Sequence, residues 1–167
     1  MSSMAVLSSP TWTKSGLRSA AVADRDEISA LVYRYAELLD QGDLDGVVRL
    51  FAHATCRSGA SGAVLRTPEE IATMYQPVRL YDDGTPRTRH LMNNLVIDLA
   101  DGADEATGHC YFTVLQAVET GGPIDTILAG RYVDRYRRGA DGWQFAEREF
   151  HADIIGDLSR HYTTPGA

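Results

Sequence analysis

From residue 24 onward the apolar positions first recur at helical spacing. Ile28, Leu31, Val32, Tyr35, Leu38 and Leu39 line up on one face of a 3.6-residue repeat. Asp24, with Glu27 three positions later, has the form of a helix start, so the pattern predicts a first helix over residues 24–40. Gln41-Gly42-Asp43 breaks the period and Asp43 can cap a new start. Leu44, Val47, Val48, Leu50 and Phe51 then predict a second short helix, folded back on the first as a hairpin. Thr67-Pro68-Glu69-Glu70 combines a hydroxyl cap, a proline in the first turn and an acid at the third position, which predicts a third short helix reaching residue 75.

Beyond Asp83-Gly84 the pattern becomes extended. Residues 88–99, 106–118, 126–138 and 142–155 read as four antiparallel strands, separated by Asp101-Gly102, Gly121-Gly122 and Gly139-Ala140-Asp141-Gly142 turns. Helices first and a long meander afterwards is an α+β order. The three helices must cover one face of a strongly bent sheet, which makes a cone with an open mouth and a pocket inside. In the first of these strands, strict alternation puts Leu91, Leu95, Ile97 and Leu99 on one face and His90, Met92, Asn94 and Val96 on the other, so both faces look covered. The outer face is therefore expected to meet a second subunit in a homodimer or small ring, with Phe112, Val114 and Ile127 contributing.

Composition narrows the classes. At 167 residues there is room for one ordinary domain. We expect it over residues 23–162, between an N-terminal tail of residues 1–22 and a C-terminal tail of residues 163–167. Leu7, Trp12 and Leu17 would let the N-terminal tail serve instead as an arm on a partner subunit. The absence of a long apolar run argues against a membrane partner. A formal charge of −7 argues against nucleic acid, whose phosphates need a basic face. Cys56 and Cys110 form no CxxC pair, which fits a reducing cytoplasm and argues against a zinc site.

Three segments carry a resemblance that covers residues 24–162: the run from Tyr33 through Asp40 to Asp45, the tetrad Arg87-Thr88-Arg89-His90, and the run from Gly130 through Arg138 to Phe145. Together they resemble the SnoaL-like branch of the NTF2 superfamily. Its members include scytalone dehydratase, hexachlorocyclohexane dehydrochlorinase, ketosteroid isomerase, limonene epoxide hydrolase, polyketide cyclases and the small subunits of ring-hydroxylating dioxygenases. The resemblance implies the NTF2-like cone and leaves the activity open.

In the dehydratase and the dehydrochlorinase, a carboxylate orients an imidazole that takes a proton, and Asp40 and His90 are similar to those positions. The chemistry agrees: an unperturbed imidazole, with a pKa of about 6.5, is mostly neutral at neutral pH, and a carboxylate on Nδ1–H stabilises the imidazolium formed on proton abstraction. Asp40 can equally be a helix–helix corner residue and His90 a strand histidine with a structural bond. By the same resemblance His109 stands where scytalone dehydratase has its second histidine, with a buried or interface histidine as the alternative. Tyr35 resembles the isomerase tyrosine that donates to a developing oxyanion, and it also belongs to the helix stripe. The stretch from Ala54 to Gly59 lacks the carboxylate that the isomerase reaction needs. Arg148 lies near the dehydrochlorinase cation that assists a leaving anion, and a surface arginine is its alternative. Phe51, Met74, Tyr75, Met92, Phe112 and Trp143 are candidates for the pocket wall or for plain core.

The expected function is cofactor-independent acid–base catalysis, with no metal, on a small apolar polyketide-like or aromatic metabolite by elimination, isomerisation or ring closure. His90 would take the proton, with His109 or Tyr35 assisting. The alternatives are a non-catalytic binding or assembly subunit of the dioxygenase small-subunit kind and, more remotely, an epoxide hydrolase, for which Arg131 and Asp134 are the nearest residues.

Overall fold

The first helix begins earlier than its acidic residues suggest. In the computed structural model, which describes residues 20–163, α1 spans Ala20–Gln41 and buries Ile28, Val32, Tyr35 and Leu39 along one stripe. Asp24 does not cap it. Its carboxylate accepts hydrogen bonds from Arg138 at 2.9 and 3.0 Å and from the Trp143 indole at 3.1 Å, while Glu27 accepts the Trp143 backbone N–H at 2.8 Å. Both acids thus pin the start of the helix to a distant hairpin. The proposed arm residues Leu7, Trp12 and Leu17 lie outside the described residues.

Gly42 then takes a positive φ of 77°, with the Gly84 carbonyl so close that a side chain would collide with it. Asp43 caps α2 (Leu44–Leu50) by accepting the Gly46 N–H at 2.8 Å. Two short strands that the pattern did not separate follow, β1 (Thr55–Ser58) and β2 (Val64–Leu65). The expected capping box of α3 (Pro68–Ala72) is present, with Thr67 and Glu70 satisfying each other's backbone N–H groups.

The four long strands are β3 (Thr88–Asp98), β4 (Glu105–Gln116), β5 (Asp125–Gly139) and β6 (Gly142–Ile155). They form an antiparallel meander that β1 extends by pairing parallel to β6, giving the order β2-β1-β6-β5-β4-β3. Register shifts interrupt β3–β4, β4–β5 and β5–β6. Such bulges add twist and bend a sheet, and the curved, unclosed sheet wraps the helices as an NTF2-like cone. No helix among the described residues is long and apolar enough to cross a membrane.

One bulge overturns the expected facing of β3. Asn94 has a φ of 51° and the pairing with β4 skips from Asn93 to Val96. The extra residue reverses the alternation, so Leu95 and Ile97 join His90 and Met92 toward the core while Val96 points out. Strict period-two reading cannot see such a reversal. The expected outer-face contributors are also corrected: Phe112, Val114 and Ile127 are buried on the inner face. β4 alternates cleanly, and its even-numbered residues from Ala106 to Gln116 all face in.

Replacing Asn94 with Val should cost about 1–3 kcal/mol, because a β-branched residue is disfavoured in the left-handed region. Asn94→Gly should retain wild-type stability. Urea denaturation of both variants checks this; equal stability of Asn94→Val and wild type would refute it.

Candidate active site

The last turn of α1 delivers Asp40 to the start of β3, where it meets His90. Asp40 Oδ1 lies 2.7 Å from His90 Nδ1. The same carboxylate accepts the His90 backbone N–H at 2.9 and 3.1 Å and the Thr88 hydroxyl at 2.9 Å. Both side chains are nearly enclosed, at 6% and 9% exposure. Burial by itself would push the Asp40 carboxyl up. The hydrogen bonds and charge of His90, with the Thr88 hydroxyl, outweigh it and hold the carboxyl below its usual value. An ionised carboxylate can only accept, so Nδ1 carries a hydrogen, and it is on Nε2 that the neutral form of the ring has its lone pair. Arg89 approaches Asp40 at 3.7 Å but is largely exposed and adds little.

His90 lines a cavity of about 100 Å³ inside the cone, walled by Tyr35, Phe112, Tyr132 and Phe150 and reached by Arg148 and His161. Phe112 stacks on Tyr132 with centroids 4.6 Å apart, and the Tyr35 and Tyr132 hydroxyls are 3.2 Å apart. Burial, followed by the neighbouring Tyr35, pushes the Tyr132 phenol well above its ordinary range, so it stays a neutral donor.

Arg148 is not the surface arginine of the alternative reading. It is 3% exposed, and its Nε and Nη2 donate to the two oxygens of Asp134 at 2.8 and 2.7 Å. Tyr136 donates to the same carboxylate at 2.9 Å. The guanidinium lies 4.0 Å from the Tyr132 ring centre and 4.4 Å from that of Tyr35. Burial opposes its charge, but Asp134 overcomes this and holds Arg148 well above the ordinary arginine value. The third nitrogen, Nη1, is buried without a hydrogen-bond partner among the described residues.

Residues 20–149 match the family of the SnoaL-like domain. The chain therefore belongs to the SnoaL-like family. No match to a curated protein was found. Among solved structures, this SnoaL-like chain is similar to an NTF2-like protein with a cystatin-like fold from Novosphingobium aromaticivorans, with 23% identity, a TM-score of 0.65, and 84% of this chain and 88% of that one covered. It is also similar to a candidate scytalone dehydratase from the same organism, at 17% identity and a TM-score of 0.65, covering 88% and 96%. The β subunit of a candidate aromatic-ring-hydroxylating dioxygenase, again from that organism, shares 18% identity and a TM-score of 0.64, covering 86% and 97%. At these identities the likeness is one of fold.

Several expected site residues of the SnoaL-like chain lie elsewhere. His109 is exposed on the outer face of β4, paired with Val133 and Val96, because β4 keeps its alternation through this point. It cannot assist His90 across the sheet. Phe51 is fully buried against Tyr35 and Phe145, in the core behind the cavity. Met92 lines a groove between α1 and β3 with Ala36 and Asp40. Trp143 sits at the β5–β6 turn under Arg138, whose guanidinium lies 4.7 Å from its ring. Met74, Tyr75 and Phe112 do line the cavity.

The sequence reading missed His161. It is 8% exposed on the segment after β6, and its backbone is fixed by bonds from Arg79 N–H to its carbonyl at 2.8 Å and from its own N–H to Leu158 at 3.0 Å. Burial, then the charge of His90, lowers its pKa to about 4. A chain-end histidine without a motif gives no warning of this. Burial also pushes the Cys56 and Cys110 thiols up to about 11, so neither is a reactive thiolate at neutral pH. Among the described residues no group of three His, Cys, Asp or Glu side chains could hold a metal ion.

Arg148→Met, which leaves Asp134 charged and buried, should destabilise the fold by about 3–5 kcal/mol. The double change Asp134→Leu with Arg148→Met should cost less, and urea denaturation of the two variants tests the difference. His161 predicts a pH effect. The folded chain resists a proton that the unfolded chain accepts, so this contribution is complete above about pH 6.5 and drains as pH falls toward about 4. The melting temperature of His161→Phe should fall less than that of wild type across this window; parallel curves would refute the assignment.

Proposed function

We propose that this SnoaL-like protein is a cofactor-independent acid–base enzyme acting on a small apolar, ring-containing metabolite of aromatic or polyketide type. The observation that carries this reading is the 2.7 Å bond from buried Asp40 to His90 at the wall of an aromatic cavity. His90 Nε2 takes a proton from a carbon next to a carbonyl. The C–H electrons move toward the carbonyl, and Asp40 stabilises the imidazolium that forms. Tyr35, bonded to the neutral Tyr132, donates to the developing enolate oxygen. The enolate then expels a β-hydroxyl group, which takes the proton back from His90 and leaves as water, or it is reprotonated by His90 on another carbon, or it closes a ring by adding to a second carbonyl carbon of the same molecule, whose oxygen takes the proton from His90. Because Asp40 is held below the usual carboxylate range, it remains charged wherever an imidazole titrates.

Epoxide hydrolysis fits less well. Asp134 has both oxygens occupied by Arg148 and Tyr136, and Arg131 is engaged with Asp153 on the other face. Neither is free to activate water.

A second reading, a non-catalytic assembly subunit or homo-oligomer, is favoured by the outer sheet face. There Val96, His109, Val133 and Glu149 form one cross-strand row, and Asn93, Tyr111, Arg131 and His151 another. Tyr111 is 50% and Val133 45% exposed, more apolar surface than a solvated sheet face needs.

The test is the conversion of 3-hydroxycyclohexanone to cyclohexenone, followed by the enone absorbance, with deuterium uptake from heavy water into cyclohexanone as a second measure. Asp40→Asn should lower both rates roughly 10²- to 10⁴-fold and His90→Gln should abolish them. No turnover or exchange by the wild type, with self-association intact, would favour the assembly reading.

A further inference from the structure

Arg148 and His161 both reach the cavity without a part in the proton transfer above. His161 reaches it from a different wall than His90, on the segment that follows β6. That segment is fastened to residues 77–81, between α3 and β3. Val78 pairs with Tyr162, Thr163 N–H donates to the Pro77 carbonyl at 2.7 Å, and the Tyr81 hydroxyl donates to the Arg160 carbonyl at 2.7 Å. The Arg79 side chain adds a bond to the Tyr162 carbonyl at 3.4 Å. The backbone around His161 is thus held on both sides, while its ring makes no hydrogen bond among the described residues and its Nδ1 is enclosed without a partner.

A buried imidazole nitrogen without a partner is costly, and native structures seldom leave one unsatisfied without reason. Arg148 also has one unpartnered nitrogen, Nη1, but its other two are held by Asp134. Asp40 accepts from three groups, and the Tyr35 and Tyr132 hydroxyls bond each other. Aromatic and aliphatic side chains make up most of the remaining wall, which suits a planar ring. A fixed, unpartnered imidazole in such a wall is the pattern of a group that meets one polar atom of a bound molecule.

We infer that His161 is a ligand-contacting residue that hydrogen-bonds, as a neutral imidazole, a hydroxyl or carbonyl oxygen on a small ring seated in the cavity. This rests on the reading of the cavity as the substrate site, and it defines the ligand further: an oxygenated ring rather than a hydrocarbon. A neutral His161 also suits its neighbour, because an added cation in the cavity would oppose the imidazolium that His90 must form. His90 from β3 lies close enough to oppose a charge on His161, and the Tyr162 ring packs against it.

Phenol and toluene, which differ in one hydroxyl, test it. Affinities are measured by NMR titration on protein carrying ¹⁵N-labelled histidine. Wild type should bind phenol at least tenfold more tightly than toluene, and phenol should move the His161 ring nitrogen signals. His161→Phe should erase that preference while keeping toluene binding, and His161→Gln, which restores an amide donor and acceptor, should recover part of it. A preference unchanged in His161→Phe overturns the inference, as does phenol binding with no change at the His161 nitrogens. Failure of wild type to bind either probe overturns it together with the substrate-site reading. The catalytic reading fails separately: a lost phenol preference in His161→Phe beside a wild type inactive in elimination and exchange leaves the contact standing and removes the dyad's role.

Discussion

A guanidinium buried among aromatic rings needs an opposite charge beside it, and the Asp134–Arg148 pair is the interaction on which the inside of this cone depends. It bridges β5 and β6 at the centre of the inner sheet face. Around it the Tyr35, Tyr132, Phe145 and Phe51 rings gather within 5.4 Å of the guanidinium carbon. A charge in such a place gains from the ring faces only because Asp134 neutralises it. The rings of Tyr35 and Tyr132 therefore pack on a structural ion pair, while their hydroxyls bond each other. With Tyr35 held against the sheet, α1 is set in rotation and height, and its last turn arrives at β3 with Asp40 in reach of His90.

That arrival joins two kinds of constraint. Asp40 satisfies a backbone N–H, a hydroxyl and a ring nitrogen at the start of β3, so the site is also a structural latch between helix and sheet. The same carboxylate thereby orients the imidazole ring. Preorganisation of this kind lets an imidazole accept a proton without first rearranging its surroundings.

The elements were legible where local chemistry speaks. The Thr67–Glu70 capping box, the Asp43 cap, and the strands after residue 88 follow from side-chain oxygens and periodicity that act over a few residues. Asp40 and His90 were legible through family likeness, since the two residues are 50 positions apart and nothing local links them. The misreadings share one cause. Asp24 looks like a cap until Arg138 and Trp143, more than a hundred residues away, take its oxygens. His109 looks available to the cavity until the register of β4 turns it outward, and Leu95 and Ile97 change faces because Asn94 inserts one extra residue.

The sequence by itself determined the starts of α2 and α3, the four long strands and the family, because these depend on short-range hydrogen bonding and on the spacing of apolar residues. The tertiary structure alone decided which side chains share the cavity. A one-residue shift of register moves a side chain across the whole thickness of a sheet, and the burial of Arg148 and His161 exists only once distant segments close around them.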